Sequence, residues 1–248
     1  MIWEACKGKN HIGHLSGTLY RLVESQEQVA TMGYVDTLDE QAVLEELLES
    51  VKPPYPDGLK DYHYLLTTPF RYPPLHWGSR FGQTNEPSLF YGGCNPSTTL
   101  AESAYYRFVF LYSMEIQTST EKMRSEHTMF SVRYQTNNGV KLHLKPFADY
   151  LAELTDPQDY SHTQHVGSSM RNADVDAFLY VSSRDRQHGL CIGMFNSSPF
   201  KDLEPRTMTQ WLCETSEKDV MFKQIGENNV VKYSVDDFLI AGKLPLPA

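Results

Sequence analysis

The chain has 248 residues, of which 40 % are hydrophobic and 21 % charged, so it is globular rather than disordered and forms one large domain or two small ones. The net charge of −9 argues against a general nucleic-acid-binding surface, although a local basic pocket is compatible with it. The four cysteines form no Cys-x-x-Cys pair, and there is neither a long apolar run nor a signal-peptide core, so we expect a cytoplasmic protein without a membrane span.

The N-terminal part of the chain is predicted to contain a lead-in, a strand and a helix. Residues 1–17 are expected to form a loose lead-in, and the alternating residues 18–24 predict a strand. Thr37 and Glu40 have the spacing of a capping box, which predicts a helix that ends near Val51, before a Pro-Pro pair. Its apolar face is predicted to consist of Val43, Leu47, Leu48 and Val51.

Three elements are predicted between residues 60 and 112. Residues 62–67 are rich in Tyr, Leu and Thr and favour a strand, and residues 88–91 favour a short second strand. Asn95 is suited to cap a helix over residues 97–112. Glu102 lies on this helix among mostly apolar neighbours, where a carboxylate rarely lacks a partner or a chemical role.

Two arginines stand out in the loops of the same region. Arg71 lies in a proline-rich path that is expected to be extended, and Gly78 and Gly82 bracket Arg80, so the backbone can turn closely around it. Arginine binds phosphate groups as a rigid fork, and the tyrosines of this stretch offer stacking faces with a polar tip. The segment is therefore richer in ligand-binding side chains than an ordinary core segment.

The second half of the chain predicts the rest of a mixed sheet. Strands are expected at 130–134, 140–144, 177–181 and 190–195, with a turn at 137–139 joining the first two. Helices are expected at 147–154 and 161–172. Ser182 leaves the apolar strand at 177–181 and is either a turn former or a side chain that faces a pocket. The alternation of strands and helices predicts an α+β (mixed α/β) fold in a single domain.

The common catalytic motifs are missing. The sequence has no Gly-x-Gly-x-x-Gly, no phosphate loop, no His-Glu-x-x-His and no Gly-x-Ser-x-Gly. The nine histidines are dispersed without convincing ligand spacing, so we expect no metal site.

Four short motifs together resemble the RES domain family: Gly-Ser-Arg-Phe at 78–81, Phe-Tyr at 90–91, Leu-Ala-Glu at 100–102 and Tyr-Val-Ser-Ser-Arg at 180–184. The resemblance spans about residues 18–195. It implies an ADP-ribosyltransferase-like mixed central β-sheet flanked by helices. It also implies an NAD⁺-degrading toxin of a toxin–antitoxin system, which cleaves the nicotinamide–ribose bond by phosphorolysis or hydrolysis.

The resemblance assigns the site residue by residue. Arg80 matches the arginine of the family's Gly-Arg-Trp segment, with Phe81 in place of the tryptophan. Tyr91 matches the tyrosine of the following strand, Glu102 the glutamate of the next helix and Ser182 the serine after the late strand. Glu102, Arg80 and Ser182 are thereby implied to be catalytic, with Ser182 holding a ribose or positioning a nucleophile rather than acting as a covalent nucleophile.

A further arginine of the family precedes the Gly-Arg-Trp segment, and two candidates compete for it. Arg71, followed by Tyr72, is favoured because it is close in sequence and flanked by prolines; Arg21 is the alternative. Together with Tyr91, Arg71 and Tyr72 are implied to bind NAD⁺. A catalytic domain over 18–248 then carries a helical insertion or elaboration at about 23–60.

The resemblance also implies ligands and partners. NAD⁺ is a consumed substrate rather than a cofactor, and inorganic phosphate is an alternative acceptor to water. A cognate helix-turn-helix antitoxin of the Xre type is expected to occlude the site, with no direct nucleic-acid or membrane binding and with a homodimer as an option. Two alternatives remain open: a protein ADP-ribosyltransferase and a non-catalytic nucleotide-binding module of the same fold.

Overall fold

An eight-stranded mixed sheet forms the centre of the computed structural model, which describes residues 1–25, 34–56, 58–114 and 122–246. The strands are β1 Gly13–Glu24, β2 Phe90–Gly93, β3 Met123–Lys141, β4 Ala177–Val181, β5 Leu190–Met194, β6 Thr207–Thr215, β7 Asp219–Gln224 and β8 Val230–Ser234. Their spatial order is β1-β2-β5-β4-β3-β6-β7-β8. Strands β3 and β4 are parallel, and the other neighbours are antiparallel.

The sheet closes on itself through β1. This strand pairs with β3 along its whole length and also with β2, so the pairings β1–β2, β2–β5, β5–β4, β4–β3 and β3–β1 form a complete circuit. The weak point of the circuit is the contact between β1 and β2, where the described pairing consists of Tyr20 with Gly93. A gap therefore opens between these two strands beyond that pair.

The described residues contain six α-helices: α1 Ile2–Ala5, α2 Leu38–Ser50, α3 Tyr64–Arg71, α4 Pro96–Tyr112, α5 Leu151–Leu154 and α6 Ser161–Arg171. Short 3₁₀ helices occur at Gly8–His11, Phe147–Tyr150 and Val235–Asp237. None of the described helices combines the length and apolar character that a membrane span needs. The predicted mixed α/β fold in a single domain is confirmed.

Three apolar clusters fill the space between helices and sheet. The first surrounds Phe178, the second surrounds Phe90 and Phe130, and the third surrounds Phe108 and Phe222. Each of these rings is almost fully buried, and such a side chain contributes roughly 1.5 to 3 kcal/mol of transfer free energy. The clusters hold the strands on both sides of the gap between β1 and β2.

The expectation that residues 1–17 form a loose lead-in is wrong. Trp3 is buried and stacks on Phe147 with ring centroids 5.9 Å apart. Gly8 makes room for it, since a Cβ at this position would lie 2.2 Å from the indole. Strand β1 already begins at Gly13. A single buried tryptophan therefore anchors this segment, although its polar composition predicts a loose one.

The strand predicted at 62–67 is a helix. Helix α3 begins after His63, whose ring accepts a hydrogen bond from the Leu65 amide, and Thr68 donates its hydroxyl to the Tyr64 carbonyl at 2.7 Å. Leu65 and Leu66 bury one side of the helix against the sheet. Packing of that side outweighs the preference of its Tyr and Thr residues for strands.

The turn predicted at 137–139 is absent, because β3 runs without interruption through these residues. Gly139 pairs with Gly13 of β1 on one edge and with Ala177 of β4 on the other. The two strands expected at 130–134 and 140–144 are therefore one strand. Pairing on both edges of β3 overrides the local turn preference of an Asn-Asn-Gly sequence.

Helix α2 forms as predicted, with the capping box between Thr37 and Glu40 in place. Its predicted apolar face is exposed: Leu47 retains 60 % of its accessible surface and Val51, just past the helix end, 80 %. Gln41 is the buried residue of this helix. The helix is therefore joined to the rest of the described chain through few contacts, and Arg71 supplies the main one.

Candidate active site

A cleft of about 400 Å³ opens where β1 and β2 separate. Beyond the Tyr20–Gly93 pair, the Arg21 side chain reaches across the gap and its Nη1 donates to the Tyr91 carbonyl at 2.7 Å. Helix α4 forms another wall, which includes Glu102. Small-molecule sites typically measure about 300 to 1,000 Å³, so the cleft has room for a small organic ligand.

A tight turn carries Arg80 into the cleft. Gly78 has φ +73°, and the backbones of Ser79 and Gly82 exchange hydrogen bonds of 2.8 and 3.3 Å. Phe81 points the opposite way and is fully buried against the rings of Phe178 and Tyr180. The turn is therefore anchored by one aromatic residue, which leaves its arginine facing the ligand space.

The Arg80 guanidinium is fixed by neutral partners. Its Nη1 donates to the Asp156 carbonyl at 2.8 Å, its Nη2 donates to the Ser183 hydroxyl, and its carbon lies 4.5 Å from the centre of the Tyr160 ring. Burial opposes its positive charge, but Tyr160 and Glu102 raise the pKa of the guanidinium above its ordinary value. Arg80 therefore remains a cation in a rigid position.

Tyr91 holds this turn from the neighbouring strand. Its hydroxyl accepts a hydrogen bond from the Phe81 amide at 3.1 Å and shares another with the Ser79 hydroxyl at 2.9 Å. Burial raises the pKa of Tyr91 to about 12, so the phenol is neutral near pH 7. Tyr91 lines the cleft, while its polar tip positions the segment that carries Arg80.

Glu102 and Ser182 form the best-defined pair in the site. The Ser182 hydroxyl donates to Glu102 Oε1 at 2.5 Å and accepts hydrogen bonds from the Arg184 and Asp185 amides at 3.1 and 2.9 Å. Ser182 is only 1 % exposed and lies behind the cleft wall, whereas Glu102 is on it. The serine therefore orients the carboxylate, and the carboxylate faces the ligand space.

Glu102 has a buried thiol and a buried phenol close to it, as well as the Arg80 cation. The Cys191 thiol lies 4.0 Å from Oε1, and burial, followed by the negative charge of Glu102, raises the pKa of Cys191 well above its ordinary value. Burial likewise raises the pKa of Tyr180 well above 10. Glu102 thus offers a negative charge in a region where few other groups screen it.

Arg71 and Tyr72 do not line the cleft. Arg71 pairs with Glu49 of α2 at 2.7 Å, donates to the Pro53 carbonyl and lies 4.1 Å from the centre of the Tyr55 ring. Tyr72 follows it on the surface. The arginine that was favoured from the sequence therefore connects α2 to α3, at a place apart from the other predicted residues.

Arg21, the alternative, does line the cleft. Its guanidinium lies 4.8 Å from the centre of the Phe90 ring, and within the described chain no carboxylate forms an ion pair with it. Burial accordingly lowers the pKa of Arg21 to about 10, so it is still protonated near pH 7. Arg21, Arg80, Tyr91 and Glu102 share one cleft, with Ser182 directly behind it.

Sequence reasoning missed several residues of the site. Tyr106 lies one helical turn after Glu102 and joins it on the cleft wall, a position that its spacing could have revealed. Tyr160 precedes α6 and carries no such signal, because it reaches the site from a distant loop. Arg184 donates to the Tyr160 hydroxyl at 3.0 Å and supports that ring from behind.

No group of three or more His, Cys, Asp or Glu side chains in the described residues is arranged to hold a metal ion. The four cysteines are free thiols. The charged side chains that line the cleft are Arg21, Arg80 and Glu102.

A family model of the RES domain matches residues 56–215, more than half of the chain. The chain belongs to the RES domain family. The matched range contains Arg80, Tyr91, Glu102 and Ser182, while β1 with Arg21 precedes it. The RES domain family is associated with NAD-related enzymatic activity. A search of curated proteins found no match to the sequence.

Proposed function

We propose that this RES domain protein cleaves the bond between nicotinamide and ribose in NAD⁺. The observation that supports the proposal most directly is the presence, in one cleft, of a carboxylate oriented by a buried serine and of a cation that no carboxylate of the described residues pairs with. NAD⁺ has a matching pair of features, because its ribose becomes cationic during cleavage and its pyrophosphate is anionic.

Arg21 is the proposed pyrophosphate ligand. Within the described residues its side chain donates to the Tyr91 carbonyl alone, and the donors left over suit bidentate bonding to phosphate oxygens. Arg80 has carbonyl and hydroxyl partners on both terminal nitrogens and adds a fixed positive charge nearby. The partly buried cation of Arg21 gains an anionic partner when the substrate binds.

Glu102 is the proposed catalytic carboxylate. As the C1′–N bond breaks, its electron pair leaves with nicotinamide and positive charge develops on the ribose. The negative charge of Glu102 stabilises that cation, since it is held in place before the reaction by Ser182. Water or phosphate then adds to C1′ and loses its proton to solvent, which gives ADP-ribose or its phosphorylated form.

The tyrosines of the cleft are suited to the cationic nicotinamide ring. Tyr106, Tyr160 and Tyr180 all line the ligand space. Aromatic faces attract cations and stack on flat rings. These side chains therefore favour binding of the positively charged ring over the neutral nicotinamide product.

The test is to incubate the purified protein with NAD⁺, with and without inorganic phosphate, and to measure nicotinamide and the second product. We expect the parent protein to release nicotinamide and the Glu102→Gln variant to release none. ADP-ribose indicates hydrolysis, a phosphorylated ADP-ribose indicates phosphorolysis, and label transferred to protein indicates ADP-ribosylation. Absence of nicotinamide release from a sample free of bound partner protein contradicts the proposal.

The proposed biological role is that of the toxin in a toxin–antitoxin pair. An enzyme that consumes NAD⁺ without control stops growth, so expression of the parent chain is expected to arrest cells and to lower their NAD⁺ content. The Glu102→Ala chain should relieve both effects at equal expression. Growth arrest that is equally strong with a folded Glu102→Ala chain contradicts this role.

A further inference from the structure

A second cavity of about 100 Å³, called the side pocket below, adjoins the cleft at Arg21. Arg21 and Pro69 line both cavities, so the two spaces share a wall. The side pocket lies between the first turns of α3, with Tyr64 and Thr68, and the sheet, with Met208 of β6. The guanidinium of Arg21 therefore stands between two separate binding spaces.

The side pocket has the character of a site for a flat heteroaromatic group. The Tyr64 ring is 45 % exposed and lies beside the His63 ring, with centroids 4.6 Å apart and ring planes tilted by 32°. The Ser25 and Thr128 hydroxyls, 3.1 Å apart, supply polar groups on another wall. A stacking face next to hydroxyl groups suits a nucleobase, because a base has an apolar face and a polar edge.

Apart from Arg21 on its boundary, the side pocket contains no unpaired charge in the described residues. Its carboxylate, Glu24, accepts a hydrogen bond from Arg107 at 2.9 Å, so its negative charge is offset. Arg21 is the cation on its boundary. Arg21 is assigned to the pyrophosphate in the proposed function, so its charge is already matched when the substrate is bound, and an uncharged base then suits the rest of this pocket.

We infer that the side pocket binds the adenine end of NAD⁺, with Tyr64 as the stacking platform and with Arg21 between the two halves of the dinucleotide. This inference rests on the proposed function. The pyrophosphate of NAD⁺ lies midway between its two nucleosides, so an arginine bound to it places one nucleoside on each side. The nicotinamide riboside then lies in the cleft beside Glu102, and the adenosine enters the side pocket.

The experiment compares NAD⁺ with nicotinamide mononucleotide, which keeps the scissile bond and one phosphate but has no adenosine. Tyr64→Ala is expected to raise KM for NAD⁺ by roughly 5- to 100-fold, the effect of losing one base–aromatic stack. It should leave kcat for NAD⁺ and both constants for the mononucleotide unchanged. Tyr64→Phe should retain most of the NAD⁺ affinity, since the ring is kept.

Tyr72→Ala is the matched control, because Tyr72 is an exposed tyrosine just after α3 that lines neither cavity. It should change neither substrate's KM. If Tyr64→Ala raises KM for both substrates equally, or for neither, the adenine lies elsewhere and the inference is wrong. Thermal unfolding of each variant shows whether an altered KM reflects a damaged fold.

A binding measurement separates this inference from the proposed reaction. Titration calorimetry with ADP-ribose needs no turnover, and Tyr64→Ala should weaken that binding by the same factor. Tyr64-dependent ADP-ribose binding without nicotinamide release would contradict the cleavage proposal and keep the adenine subsite. Nicotinamide release with ADP-ribose binding that does not depend on Tyr64 would contradict the subsite and keep the reaction.

Discussion

Arg21 is a largely enclosed cation whose polar partner in the described chain is a backbone carbonyl rather than a carboxylate. Burial lowers its pKa to about 10, which shows that the protein does not fully compensate the charge. By contrast, Arg71 has Glu49 as a partner. Two arginines of similar appearance in the sequence thus have different surroundings: Arg71 is paired with a carboxylate, whereas Arg21 has no such partner among the described residues.

The first prediction compares these two arginines. Arg21→Ala is expected to raise KM for NAD⁺ by about 10- to 100-fold, because a hydrogen-bonded charge contributes roughly 1.5 to 3 kcal/mol. Arg71→Ala should leave KM unchanged and should make the α2 segment more sensitive to proteases, since its attachment to α3 is lost. Steady-state kinetics and limited proteolysis measure the two effects. If Arg71→Ala raises KM for NAD⁺ and Arg21→Ala leaves it unchanged, the assignment of the two arginines is reversed.

The second prediction concerns the Ser182–Glu102 pair. Ser182→Ala removes the donor that orients the carboxylate, so kcat should fall by roughly 10- to 100-fold while KM is little changed, because Ser182 does not line the cleft. Glu102→Gln should lower kcat by about 100- to 1,000-fold. Both variants must unfold near the parent temperature for the kinetics to be interpretable.

A double-mutant cycle separates positioning from a general loss of stability. If Ser182 acts through Glu102, Ser182→Ala should have almost no further effect on kcat in the Glu102→Gln background. Independent, multiplicative effects of the two substitutions would show that Ser182 contributes to the reaction by another route.

At the scale of elements, the turn that carries Arg80 is packed directly against α6. A Cβ built on Gly167 of that helix would lie 1.9 Å from the Phe81 carbonyl oxygen, so the helix and the turn approach as closely as a glycine allows. The side chain of Gln164, one turn earlier, donates to the Trp77 and Ser79 carbonyls at 3.0 and 3.2 Å. Helix α6 therefore fixes the position of Arg80 without lining most of the cleft.

The third prediction tests this contact with Gly167→Ala. The substitution improves helix propensity by about 1 kcal/mol, but the overlap with the Phe81 backbone should outweigh it and destabilise the protein by roughly 1 to 3 kcal/mol. Nicotinamide release should fall as the turn shifts. Gly13→Ala is the control, because an added Cβ there meets nothing within 4 Å. Denaturant unfolding that ranks the two variants equally would contradict the contact.

The elements that the sequence predicts correctly are those with strong local signals. Helix α4 has an Asn cap and an early proline, and β4 and β5 are short apolar runs joined by a turn. Helix α3 and the uninterrupted β3 were not predictable in this way, because packing and pairing with distant segments decide them. Local preference decides an element only where tertiary contacts do not oppose it.

The same reasoning applies to the site. Arg80, Tyr91, Glu102 and Ser182 could be proposed from motifs in the sequence, since each lies in a short stretch typical of the family. The choice between Arg21 and Arg71 could not be made from the sequence. It depends on where β1 and β2 separate and on the ion pair between Arg71 and Glu49 of α2. Those are contacts between segments far apart in the chain.

At the scale of the whole molecule, the closed circuit of strands explains where the cleft lies. A complete set of pairings between β1 and β2 would leave no gap for a ligand, whereas the Tyr20–Gly93 contact keeps the two strands adjacent and lets them diverge. The β1–β3 pairing, which involves eleven of the twelve residues of β1, keeps the rest of the circuit intact. The site is thus built at the weak point of a sheet that is stable elsewhere.

The fourth prediction concerns the stability of that sheet against acid. His127 of β3 is 4 % exposed, and its pKa is lowered to about 4, mainly by burial and secondarily by the positive charge of Arg107. The unfolded histidine titrates near 6.5. Between these two values the unfolded chain binds a proton that the folded chain does not. The free energy of unfolding should therefore decrease as pH falls from about 6.5 towards 4, by up to about 3 kcal/mol.

Urea unfolding at several pH values from 4.5 to about 7.5 measures this slope, and His127→Gln identifies its source. The variant removes the titrating group, so its free energy of unfolding should depend less steeply on pH below about 6.5, even if the variant is less stable at neutral pH. A parent and a His127→Gln variant with the same pH dependence would show that His127 is protonated as readily in the folded sheet as in the unfolded chain.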